Sequence, residues 1–121
     1  MSTWDQEILS AEANADFLNE LSALEPEEIL EAVGDAVLLA ADSASATEEE
    51  VLNGQAAATI AAIWCGAPFA AGEVVDTYPF IRSNPGELSE QLVEAAVGVL
   101  ENAASDADAD ADIDQFIEAL S

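Results

Sequence analysis

The chain has 121 residues, of which 26 are Asp or Glu against a single arginine, with no lysine and no histidine, for a formal charge of −25 at pH 7. Hydrophobic residues nonetheless make up 51%, which excludes compositional disorder and is enough for one domain with one real core. The charge repels nucleic acid and anionic membranes and attracts cations or basic proteins, and the missing histidine removes imidazole acid–base chemistry.

Residues 1–12 form a lead segment in which Trp4, Ile8 and Leu9 are expected to fold back onto the core, because an isolated tryptophan in a polar arm has little else to pack on. Neither a basic n-region nor an apolar h-region opens the chain, so the expected location is the cytoplasm. A first helix is predicted from Ala11 or Asn14 to Leu24, with Ser10 or Asn14 as cap and Phe17, Leu18, Leu21 and Leu24 at helical spacing. Pro26 ends it and opens the second helix at its first position, with Glu27 and Glu28 at the favourable end of the dipole. Ile29, Leu30, Val33, Val37 and Ala40 make the apolar face of this helix, and Leu38 and Leu39 widen it. Gly34 in mid-helix costs about 1 kcal/mol relative to alanine, and so marks either a close helix crossing or a weakness. The connectors at Leu24–Pro26 and Asp42–Ala46 are short, so the first three helices are expected to be antiparallel neighbours.

The stretch from Thr47 to Gly66 is the organising element. Thr47 followed by Glu48, Glu49 and Glu50 matches a capping box, and three carboxylates in a first turn oppose the positive end of the helix dipole. Between Ala56 and Cys65 only Thr59 is polar, so this half lacks a water-facing stripe and must be covered on nearly every side. Gly66 suits the position just past the helix, and Pro68 forbids continuation. The apolar run is far shorter than the roughly 20 residues that span a bilayer, and no membrane association is expected. Cys65, the only cysteine, excludes an internal disulfide and is expected to be a small buried hydrophobe.

From Gly66 to Gly86 the pattern is irregular, and a turn or two of helix is predicted around Ala70 to Asp76. Phe69, Tyr78, Phe80 and Arg82 gather three of the seven aromatic residues and the only cation in this segment, which makes them the candidate partner contact. The plainer alternative is that the aromatics lid the core and Arg82 pairs with a carboxylate. Asn84, Pro85 and Glu87 then repeat a helix-start pattern. Leu88, Leu92, Ala96, Val99 and Ala103 continue it to about Ala104, with an acidic outer face.

Residues 105–112, a serine followed by alternating Asp and Ala, are predicted to be an acidic linker, since Asp and Ala are poor strand formers. The spacing of Asp106, Asp108 and Asp110 resembles the first ligands of a calcium loop. Ala111 stands where that loop needs glycine and Ile117 where it needs a bidentate acid, so only weak, nonspecific cation accumulation is expected and no dedicated metal site. Asp112 with Gln115 is predicted to cap a last helix whose apolar stripe is Ile113, Phe116, Ile117 and Leu120.

No serine or cysteine nucleophile has a basic partner, and the chain contains no glycine-rich phosphate loop, so no cofactor is implied and the chain reads as non-catalytic. The fold expected is an all-α, single-domain bundle of about five helices around a buried alanine-rich helix. The function expected is a binding module for a basic protein or other cationic partner. A DNA-mimicking inhibitor and a carboxylate-dependent hydrolase are the alternatives.

The opening Ser2-Thr3-Trp4-Asp5, followed by Ala13 to Leu21 (ANADFLNEL), resembles a bacterial family of small proteins of unknown function. Its members begin Gly-Thr/Ala-Trp-Gly, continue through an acidic, Asn-rich turn and reach Ala-x-Asp-Phe/Trp-Leu; Ser2 and Asp5 stand here in place of the glycines. The helix ending in Trp64-Cys65-Gly66 is similar to the alanine-rich helix of that family. The resemblance implies an α-helical fold with no known activity or catalytic residues, and it highlights Trp4, Asp16 and Phe17.

Overall fold

A computed structural model of the chain describes residues 7–9, 11–41, 47–66, 76–81, 89–106 and 110–120. Among these residues the secondary structure is entirely helical: α1 at Glu12–Ser22, α2 at Pro26–Ala41, α3 at Glu48–Trp64, a 3-10 turn at Pro79–Ile81, α4 at Glu90–Asp106 and α5 at Asp110–Leu120. Residues 7–9 are also helical, and Ile8 and Leu9 are buried in the core as expected of the lead segment; Trp4 lies outside the described residues.

The third helix starts where its sequence says. The Glu50 amide donates to Thr47 Oγ1 at 3.2 Å and the Thr47 amide donates to Glu50 Oε1 at 2.9 Å, so each residue satisfies an amide that the first helical turn would otherwise leave bare. Gly54 and every residue from Ala56 to Trp64 are buried, and α3 touches α1, α2, α4, α5 and the 3-10 turn. The hydroxyl of Thr59, fully enclosed, donates to the Gln55 carbonyl at 2.8 Å and so brings no bare polar group into the core. At the far end the Gly66 amide donates to the Ile63 carbonyl at 3.0 Å with φ at +104°, a conformation that favours a residue without Cβ.

The close crossing lies at Gly54, where α2 meets α3. A Cβ there would run into the Ala40 methyl group and come within 2.9 Å of the Ala36 carbonyl oxygen. Gly34, singled out in the sequence, faces α4 instead, with Leu92 Cδ1 3.2 Å from the place a Cβ would occupy. On α2, Ile29, Val33, Val37 and Ala40 are buried against the core. Leu38 and Leu39 do not widen that face: they are 40% and 50% exposed, because positions 38 and 39 turn away from the side that α3 covers. The first three helices are neighbours, each touching the other two, with α1 packed mainly on α3 and only lightly on α2.

Several boundaries differ from expectation. Helix α1 begins after Ala11 without a side-chain cap. Asn14 is fully buried and turns its amide back to donate to the Ile8 carbonyl at 2.7 Å, tying the lead segment to α1; its Oδ1 has no partner among the described residues. Ser10 lies outside them. Helix α4 begins at Glu90 rather than Pro85, because the Ser89 hydroxyl accepts the Leu92 amide at 3.1 Å and the Ser89 carbonyl accepts the Val93 amide at 3.0 Å. Residues 82–88, with the Asn84 start signal, lie outside the described residues.

The acidic linker also contracts. Ser105 and Asp106 continue α4, while Asp110 to Asp112 form the first turn of α5. Alanine is the strongest helix former, and aspartate is favoured at a helix N-terminus, so the tract extends the helices on either side of it. Of the helix predicted around residues 70–76, Asp76 is described and is helical together with Thr77; residues 67–75 lie outside.

Candidate functional site

A groove of about 300 Å³ runs along the outer side of α2 and over the first turn of α4. Its described walls fall into two rows on α2, each repeating every four residues and therefore each lying along one face of the helix. Glu27, Glu31 and Asp35 make one row, all exposed; Leu30, Gly34 and Leu38 make the row beside it. Leu92 of α4 lies beneath Gly34, and Ser89 and Gln91 close the end. The missing side chain at Gly34 leaves a notch between two leucines, and this apolar notch is flanked by carboxylates on one side. The groove exists only once α4 lies alongside α2, and its trace in the sequence is no more than the pair of parallel four-residue spacings.

Of the residues singled out in the sequence as a partner contact, the structure brings Tyr78 and Phe80 together, their rings edge to face with centroids 6.2 Å apart and planes inclined at 61°. Both are half-buried against the core. The Tyr78 hydroxyl donates to Asn19 Oδ1 at 3.0 Å, and Trp64 Nε1 donates to the Phe80 carbonyl at 3.3 Å. Ile81 is fully buried. This short segment therefore fastens α1 to the end of α3. Phe69 and Arg82 lie outside the described residues.

Cys65 is exposed at the C-terminal cap of α3, contrary to its expected burial, because the helix end turns it out of the core. Partial shielding by its surroundings pushes its thiol pKa up, which lowers the thiolate fraction available for reaction. Asp106 and Asp110 are placed on helices as to backbone, their side chains and Asp108 lying outside the described residues. Among the described residues no three cysteine or carboxylate side chains are grouped so as to hold a metal ion, and no helix is long and apolar enough to cross a membrane. Asp16, highlighted by the family resemblance, is exposed, and Phe17 packs half-buried on the core. No protein-family model matches the chain, and neither a curated protein nor a solved structure is similar to it.

Proposed function

We propose that this protein is a non-catalytic, cytoplasmic binding module for a basic protein partner. The observation that carries the reading is the notched apolar row on α2 lying beside the row of exposed carboxylates Glu27, Glu31 and Asp35, on a chain of net charge −25. A charged field of this size speeds encounter with a cationic partner, and the apolar row supplies the contact that charge alone does not. The leucines favour this reading over DNA mimicry, which calls for carboxylates alone. The carboxylates stand at the exposed rim, whereas a hydrolase needs a pair directed into a cleft. The resemblance to uncharacterised bacterial proteins belongs to the same proposal and adds no activity to it.

Affinity capture from a lysate of the source organism on the immobilised chain, eluted with a rising salt gradient, tests the reading. Screening acts within about 10 Å at 0.1 M salt and about 3 Å at 1 M, so elution salt separates a fitted interface from loose charge attraction. One basic protein retained at high salt is the expected result. A broad set of basic proteins leaving together at low salt would reduce the charge to a solubility coat.

A further inference from the structure

We infer that the groove between α2 and the first turn of α4 docks an amphipathic, basic α-helix of another protein, one large apolar side chain entering the notch at Gly34 while Lys or Arg residues meet Glu27, Glu31 and Asp35. The inference rests on the binding-module reading above and names its site and the chemistry of its partner.

Helix pitch sets the match. A helix rises about 1.5 Å per residue, so successive members of each α2 row stand about 6 Å apart. Residues four apart on an incoming helix have the same spacing, and its basic side chains at every fourth position reach successive carboxylates without distortion. Rows of this kind are the ridges by which helices interlock, and a row that lacks its middle side chain offers a hole to a knob from the opposing ridge. Leu30 and Leu38 bound the hole and Leu92 forms its floor. A volume of about 300 Å³, open along one side, suits a few side chains and stands at the lower end of the range for small-molecule pockets.

Competing occupants fit less well. A second copy of this chain would bring like rows of carboxylates together, and the sequence holds one arginine and no lysine with which to offset them. An extended peptide is held by main-chain pairing to a sheet edge, and the described residues contain no strand. A proline-rich segment docks on aromatic side chains, and none is among the described walls of this groove. A helix laid in the groove, recognised through apolar anchors at spacings of three, four and seven and steered by charge, fits the walls that are present.

The probe is a fluorescent 18-residue peptide with leucines along one helical face and lysines flanking them, titrated by anisotropy against the full chain at 150 mM NaCl. A scrambled isomer of identical composition and charge is the control. The helical peptide is expected to bind about tenfold more tightly than the isomer. Neutralising the carboxylate row with Glu27→Gln, Glu31→Gln and Asp35→Asn together weakens it about tenfold, and Leu38→Ser weakens it about fivefold. Gly34→Met fills the notch and abolishes binding; should that variant unfold because of Leu92, Leu38→Ser carries the same test on an exposed position. Equal binding of both peptides overturns the helix-docking inference and leaves charge alone. Tight helical binding indifferent to all of these substitutions overturns the groove while sparing the binding-module reading. Self-association in sedimentation that Leu38→Ser dissolves overturns it in favour of a dimer.

Discussion

The helices α2 and α3 cross in near backbone contact, yet they meet opposite demands. Over residues 56–64, α3 has no outside: every position is buried, and its alanines set how closely the neighbours approach. The helix α2 has two sides. Ile29, Val33, Val37 and Ala40 turn inward, while Glu27, Glu31, Asp35 and Leu38 line a groove open to solvent. The buried contacts are concentrated on α3, and the recognition proposed above falls on α2. The contrast teaches that an apolar residue has different meanings in the two: on α3 it is packing, and at Leu38 on the outer side of α2 it is left open to solvent.

Substitutions that attack the all-round burial of α3 break the comparison hardest. Ile60, fully enclosed, should lose about 3 kcal/mol on change to alanine, read as a shift in the urea midpoint at unchanged slope. The change Gly54→Ala follows at about 2 kcal/mol, because the new methyl group must push Ala40 and the Ala36 carbonyl away and separate the two helices; thermal unfolding would show it as a drop of several degrees. Removing the cap with Thr47→Ala should cost about 1 kcal/mol by the same assay, since it takes away the hydroxyl that accepts the Glu50 amide. At the small end, Leu38→Ser and Leu39→Ser should each change stability by less than about 0.5 kcal/mol. If the Leu38 substitution cost as much as Ile60→Ala, the outer face of α2 would belong to the core after all.

These effects also explain which parts of the architecture were legible in the residues. The Thr47 box, the Gly66 terminus and the Pro26 junction are decided within four or five consecutive residues, and the structure has each as its local chemistry implies. The sequence signal for the start of α4 is Asn84-Pro85, whereas the described helix starts at Glu90 behind a Ser89 cap; Leu92, three residues on, is then set against Gly34. The alternating Asp-Ala tract has the period of a strand but residues that form strands poorly, so propensity and the flanking helices determine its ends. Cys65 followed a buried run and was read as part of it, although one further residue of rotation at a helix end is enough to face solvent. The candidate site was least legible. Tyr78 and Phe80 drew notice as aromatics near the only arginine, yet their partners, Asn19 and the core around Trp64, are far away in sequence. The groove needs α2 and α4 side by side, and the glycine that shapes it reads in isolation as a weak point of its helix.

The most direct test of the division between a core helix and a contact helix is amide hydrogen exchange by NMR on the full chain, with and without the basic amphipathic peptide. The account predicts that amides of residues 56–64 exchange only through global unfolding in both conditions. Amides of residues 27–38 and the first turn of α4 should slow selectively when the peptide is present. Protection that appears around Tyr78 and Phe80 instead, or that leaves α2 untouched, would contradict it.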